Sequence, residues 1–253
     1  MATRMALEFY GFSDVGCVRR ANEDRLLLDA SLGIFAVCDG MGGHRAGATA
    51  AELAIAGLRY FIGFSTGLDG TWPFGYNLEI SQNANRVATG IKIANRQVWD
   101  QAGENPEYTG MGTTIVAVLI DGDTVTIGNV GDSRAYRFRG SRLSQLSVDD
   151  TLVGEMHERG LLCNADSHPA RNLLTRAAGA GADVEVHIRE EELHRNDMLL
   201  LCSDGLHGVV GESTIDAVLA SGEPVDACLH RMVDAARALG APDNVSGVLL
   251  RYT

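Results

Sequence analysis

The chain has 253 residues, with 33 acidic against 21 basic side chains and a formal net charge of −12. That length suffices for one substantial core, and the acidity argues against a nucleic-acid surface, which needs a basic stripe. No apolar run reaches the roughly 18 residues of a membrane span. "MATRMALEFYGF" lacks the pattern of a secretion signal, so a cytoplasmic protein with no membrane partner is expected. The five cysteines are odd in number and never spaced C-x-x-C, so neither a disulfide framework nor a zinc knuckle is implied.

In chain order, "RLLLDA" (25–30) and "GIFAVC" (33–38) read as strands, rich in apolar residues and bounded by turn formers. Residues 45–61 are alanine-rich and helical in pattern, 65–77 ("STGLDGTWPFGYN") form a surface loop, and 78–102 form a second helix. "GTTIVAVLI" (112–120) and "TVTIGNVG" (124–131) are strands joined through Asp121-Gly122, a strong hairpin signal. Further turns at Gly131-Asp132 and Gly140-Ser141 extend this pair through "RAYRFRG" into an antiparallel meander. A short helix over 148–160, the strand "DMLLLC" (197–202), a helix over 225–239 and the strand "VSGVLLRY" (245–252) complete the series. The 225–239 helix is punctuated by Pro224 before it and Gly240 after it. Hairpins mixed with helices, without regular βαβ alternation, predict an α+β domain with antiparallel sheets. A single domain over 1–253 is expected.

Two of the apolar strands end abruptly on a carboxylate followed by glycine: "GIFAVCDG" on Asp39 and "DMLLLCSDG" on Asp204. In "PDNVSGVLLRY", Asp243 stands just ahead of a strand instead. Taken singly, each aspartate fits a turn or a helix cap. Together they suit one rim of a core, where uncompensated acids would repel or take up protons. A hard cation such as Mg²⁺ or Mn²⁺ removes that conflict through oxygen ligands. Gly40, Gly42 and Gly43 let the main chain pass close to such an ion. Neither G-x-x-x-x-G-K-[ST] nor G-x-G-x-x-G occurs, which removes the nucleotide-loop alternative. In "VRRANEDR", Arg19 and Arg20 precede Glu23 and Asp24; an arginine beside a carboxylate–metal rim can grip phosphate with two parallel hydrogen bonds.

The ordered set "RRANED", "DGMGGHRAG", "MGTT", "GDSRAY", "SVDDTLV", "LTRAAG", "CSDGL" and "PDN" resembles the metal-dependent serine/threonine protein phosphatases, type 2C, in their bacterial branch. The resemblance implies a four-layer αββα sandwich of two antiparallel sheets flanked by helices. It implies hydrolysis of phosphoserine and phosphothreonine on proteins by a water that two Mn²⁺ or Mg²⁺ ions activate. By motif, Asp39 would bridge both ions, the Gly40 carbonyl would bind one, and Asp204 and Asp243 would complete the carboxylates. Glu23 and Asp24 fall where the family orients metal-bound waters. Asp132, with Asp204, matches a third and weaker metal position. Arg19 matches the phosphate-gripping arginine, and Arg20 is the poorer candidate. For the leaving-group proton, Met41 stands where many eukaryotic members have histidine, which leaves His44 or a metal-bound water. Residues 147–182 correspond to a flap beside the site. The implied partners are phosphorylated proteins, a cognate Ser/Thr kinase or its targets, with the chain as a monomer.

Rival readings differ in what they need. A cysteine-based phosphatase needs C-x₅-R, and six residues on from the cysteines stand Glu23, His44, Pro169, Gly208 and Asp234. A catalytically inactive phosphoprotein-binding scaffold would be expected to have lost metal carboxylates, whereas Asp39, Asp132, Asp204 and Asp243 are all present.

Overall fold

The computed structural model describes residues 6–43, 45–66, 71–160, 170 and 173–253. Sheet I contains, in order across it, β1 (Leu7–Asp14), β12 (Val245–Tyr252), β11 (Met198–Cys202), β8 (Arg134–Arg139) and β9 (Arg142–Gln145). Sheet II contains β10 (His187–Glu192), β7 (Thr124–Val130), β6 (Ile115–Asp121), β3 (Ile34–Cys38) and β2 (Arg25–Asp29). Every pairing in both sheets is antiparallel. A two-stranded ribbon joins β4 (Gly40–Met41) to β5 (Gly112–Thr113).

The sheets stack face to face, and the reason is visible in alternate residues of the central strands. In β3, Ile34, Ala36 and Cys38 face one way, towards the helices α1 (Arg45–Phe64) and α2 (Gln82–Glu104). Phe35 and Val37 of the same strand face sheet I. In β11, Met198, Leu200 and Cys202 face α4 (Asp204–Val210), α5 (Glu212–Leu219) and α6 (Val225–Ala238), while Leu199 and Leu201 face sheet II. Strands covered on both faces are apolar at every position, so their period of two is hidden in sequence. The outcome is the expected αββα sandwich.

Side-chain caps start two helices later than their pattern suggests, at Gln82 rather than 78 and at Leu152 rather than 148, whereas α6 keeps its expected punctuation. Ser81 Oγ accepts from Ala84 N at 3.0 Å to start α2, and Pro224 and the left-handed Gly240 flank α6. The short helix α3 (Leu152–Glu158) starts on Thr151, whose hydroxyl accepts from Gly154 N at 3.0 Å.

Two expected strand features are corrected. The meander stops at Gly131-Asp132: β7 and β8 are not partners, and the chain there crosses from sheet II to sheet I, where β8 pairs with β11. Thr114 fixes this corner, its hydroxyl 2.7 Å from Ser133 Oγ and its side chain packed where a Cβ on Gly131 would lie. The strand expected over 112–120 is also split, with Thr114 between β5 and β6. The other two hairpins hold, Asp121 pairing with Thr124 and Arg139 with Arg142.

Candidate active site

All the singled-out strand ends meet at one end of the sandwich. Asp39 follows β3, Asp204 opens α4 after β11, Asp243 precedes β12, Asp24 precedes β2, and Asp132 occupies the corner between β7 and β8. Arg19, Glu23, Asp39, Gly40, Asp132, Asp204 and Asp243 line a single cleft of about 520 Å³. Asp24 lies buried beneath it at 3% exposure. His44 and most of "LLCNADSHPARN" in the flap lie outside the described residues.

Backbone packing sets the shape of the cleft. A Cβ on Gly40 would stand 2.1 Å from the Gly47 carbonyl oxygen and 2.8 Å from that of Glu23, so only glycine lets β4 lie against the start of α1. The Asp39 main chain is held on both sides: its N–H donates to Thr114 Oγ1 at 3.0 Å, and its carbonyl accepts from the Thr113 hydroxyl at 2.8 Å and from Thr114 N at 2.9 Å.

Electrostatics explain why these carboxyls are unsettled. Burial, reinforced by Asp24, Asp204, Asp132 and Asp243, holds the Asp39 carboxyl well above the usual carboxylate range. Burial pushes Asp24 up to about 6, with Asp204 adding to the rise and bonds from Ser246 and Ser203 opposing it. Burial and then Asp204 and Asp149 push Asp132 up to about 7. Asp204 is raised by burial and by Asp243. Arg19 approaches the group from the rim, its Nη2 2.6 Å from Asp243 Oδ2.

These residues fit a hard cation. The donors are carboxylate and carbonyl oxygens. Asp24 Oδ1 and Asp204 Oδ1 are two of the three buried side-chain polar atoms without a hydrogen-bond partner among the described residues. A cation would satisfy such oxygens and reverse the rise in pKa. Among the described residues, no three His, Cys, Asp or Glu side chains close into a ready-made cage. The oxygen-only donor set, and not that absence, is what suits Mg²⁺ or Mn²⁺ completed by water better than a structural zinc, which takes Cys and His.

Sequence reasoning missed three supporting side chains. Asn244 pins the loop that carries Arg19: its Oδ1 accepts from Glu23 N at 2.8 Å, and its Nδ2 donates to the carbonyls of Val15 and Ala21 at 2.9 Å each. Ser203 donates to Asp24 Oδ2 at 3.0 Å. His207 donates from Nε2 to the Asp132 carbonyl at 3.0 Å, and burial, with Arg134 nearby, pushes its imidazole down to about 3, so it is neutral. Asn244 was readable in "PDN" only as a turn residue, and nothing local marked Ser203 or His207.

The profile described as protein phosphatase 2C matches residues 20–249. The chain belongs to the protein phosphatase 2C family. It is 36% identical to the serine/threonine protein phosphatase PstP of Mycobacterium tuberculosis over 247 residues, covering 97% of this chain and 45% of that relative. The chain thus spans about half the length of the mycobacterial relative. It is 33% identical to the serine/threonine phosphatase stp of Listeria welshimeri, covering 94% of this chain and 93% of the relative. The solved catalytic domain of PstP in complex with 2 manganese ions superposes with a TM-score of 0.83 at 32% identity, over 98% of this chain and 99% of that one. No helix among the described residues is long and apolar enough to cross a membrane.

Proposed function

We propose that this chain is a metal-dependent protein serine/threonine phosphatase that removes phosphate from proteins phosphorylated by a Ser/Thr kinase, the kinase itself being one candidate substrate. The observation that carries the reading is the cleft in which Asp39, Asp132, Asp204 and Asp243 converge beside Arg19. Residues 1–253 are taken as one catalytic domain, with its flap near 147–182.

In this reading Asp39, the Gly40 carbonyl, Asp204 and Asp243 would hold two Mn²⁺ or Mg²⁺ ions, and Asp132 with Asp204 would hold a third, weaker one. When bound, such ions lower the pKa of water towards neutrality and offset the charge of phosphate oxygens. Arg19 supplies the planar fork that orients the phosphate for in-line displacement. Its bond to Asp243 keeps the guanidinium over the cleft. Glu23 and Asp24 orient water, and Ser203 fixes the angle of the Asp24 carboxylate by its hydrogen bond. The leaving serine or threonine oxygen takes its proton from His44 or from water.

The test is hydrolysis of a phosphothreonine peptide in excess EDTA, then with Mn²⁺ or Mg²⁺, by wild type and Asp204→Asn. Turnover is expected only with the cation, and to fall by about 10²-fold or more in the variant, the loss typical when a transition-state stabiliser goes. A folded protein that binds Mn²⁺ and turns over nothing would instead be a phosphoprotein-binding scaffold.

A further inference from the structure

A second cleft, of about 550 Å³, shares no residue with the first. It lies between α2 and the β10 edge of sheet II, lined among others by Phe74, Tyr76, Ile80, Lys92, Val186 and Ile188. Four large apolar side chains stand out of the preceding loop: Phe74 at 41%, Tyr76 at 41%, Leu78 at 90% and Ile80 at 36% exposure. This loop is held in place. Trp72 packs edge-on against Phe61 and Tyr76 at centroid distances of 5.8 and 4.9 Å. Buried Asn85 accepts from Asn77 N and donates to the carbonyls of Asn77 and Ser81, all within 2.9 Å. Apolar groups exposed on a fixed frame mark a contact surface rather than a slack loop.

Two further features say what the contact is. First, β10 is an edge strand that pairs only with β7; among the described residues its outer side is taken only at the Glu192 carbonyl, which accepts from Arg139 Nη2 at 2.6 Å, and the main chain of Ile188 and Glu190 has no outer backbone partner. Alternate N–H and C=O groups of β10 therefore face outward, a template for one more strand. Val186 and Ile188, two residues apart, put their side chains into the cleft beside that template. Second, Lys92 is the only lysine in the chain. Its Nζ sits 5.9 Å from the Phe74 ring centroid, and the one carboxylate lining the cleft, Glu185, pairs with Arg176 at 3.3 Å rather than with Lys92 among the described residues. A half-buried cation with an aromatic neighbour and no counter-ion is completed by an anionic group on the occupant.

We propose that this cleft docks an extended segment of a partner protein that adds as a strand to the outer edge of β10, seats an apolar side chain among Phe74, Tyr76 and Ile188, and places an aspartate or glutamate on Lys92. The free strand edge is what favours a peptide over a small carboxylate, because main-chain hydrogen bonds supply affinity and the cleft supplies selectivity. The proposal does not depend on the chemistry of the carboxylate cleft.

The probe is an array of acetylated hexapeptide amides with one aspartate and one phenylalanine in every relative position, the rest threonine and valine. A matching array carries lysine for aspartate. Binding to the whole chain is followed by NMR, with the single lysine ¹³C-methylated as a reporter. At least one aspartate peptide is expected to shift the amides of residues 187–192 together with the lysine signal. Its lysine counterpart and its backbone N-methylated copy should bind at least about tenfold more weakly. Lys92→Met should abolish the preference for aspartate, Lys92→Arg should restore it, and both variants should hydrolyse p-nitrophenyl phosphate as wild type does. The proposal is overturned if no member binds, if aspartate and lysine peptides bind alike, or if the N-methylated copy binds equally well. It is also overturned if phenylpropionate alone reproduces the shifts at the same affinity, which would make this a small-carboxylate site.

Discussion

Arg19 and Asp243, 224 residues apart in sequence, face each other at the mouth of the carboxylate cleft with Nη2 and Oδ2 2.6 Å apart. The side chains are 55% and 32% exposed, and an exposed pair contributes at most about 1 kcal/mol to stability. Arg19→Ala is therefore expected to leave Tm within roughly 2–4 °C of wild type. It should lower kcat/KM on a phosphothreonine peptide by about 10²–10³-fold, the usual loss for a donor to developing charge. Arg19→Lys should recover only part, because an ammonium cannot offer two parallel hydrogen bonds. Parallel losses of Tm and activity would make the arginine a structural strut instead.

The crowded carboxyls give the metal-free protein an unusual pH dependence. In the folded state burial pushes Asp24 and Asp132 up to about 6 and about 7, from the ordinary aspartate value of 3.8. Between pH 4 and 7 the folded state thus binds more protons than the unfolded chain, and stability falls as pH rises. Their contribution is fully present below about pH 4 and lost as pH passes through 6 to 7. Asp29 has the opposite sign, its carboxyl being lowered chiefly by its bond from Ser31, but its loss begins only in more acid solution. In EDTA, Tm should fall steadily from pH 5 to pH 8. Added Mn²⁺ should raise it more at pH 8 than at pH 5, because the ion competes with protons for the same oxygens. A Tm in EDTA that is flat or rising over this range would show that the cluster carries no such strain.

Asn244 lines the cleft and fixes the Arg19 loop through three hydrogen bonds to its main chain. Replacing it with alanine leaves Glu23 N and the carbonyls of Val15 and Ala21 without their partner. These groups belong to exposed or half-buried residues that water can reach, so at about 0.5–1.5 kcal/mol net for a hydrogen bond Asn244→Ala should lose about 1–2 kcal/mol in urea unfolding. Activity should fall mainly through KM, since the arginine is still present but no longer positioned. An unchanged KM with lowered stability would confine Asn244 to the fold.

The site was legible in the sequence for a physical reason. Strands β3 and β11 are buried on both faces, so the change from unbroken apolar residues to Asp39 or Asp204 is abrupt. The edge strands gave no such signal. "LEFYGFSD" and "HIREEE" form β1 and β10, yet they are half-exposed and pair along one side only, so neither alternation nor a solid apolar run develops. The corner at Gly131-Asp132 looks locally like the hairpin at Gly140-Ser141. Only the second layer, in which β8 finds β11 rather than β7, separates them. Ser203 and His207 act by bonds to residues far away in sequence, Asp24 and the Asp132 carbonyl. Residue type alone could not announce them.

The sharpest mutational contrast lies within the glycine loop. At Gly40 an added Cβ would meet the Gly47 carbonyl at 2.1 Å and its carbon at 2.4 Å. Both are backbone atoms in the first turn of α1, so no side chain can swing aside, and β4 must part from the helix. At Gly43 an added Cβ meets nothing within 4 Å, and the only penalty is its φ of +76°. The left-handed conformation costs a non-glycine residue about 1–2 kcal/mol. Gly43→Ala should therefore lose that much and still gain stability when Mn²⁺ is added. Gly40→Ala should lose about 3 kcal/mol or more, beyond the usual range for overpacking, and gain little from Mn²⁺, because Asp39 is displaced with its neighbour. Urea unfolding of the two variants with and without Mn²⁺ separates the effects. Equal responses to the cation would mean that the Gly40–Gly47 contact holds the fold but does not place Asp39 for metal.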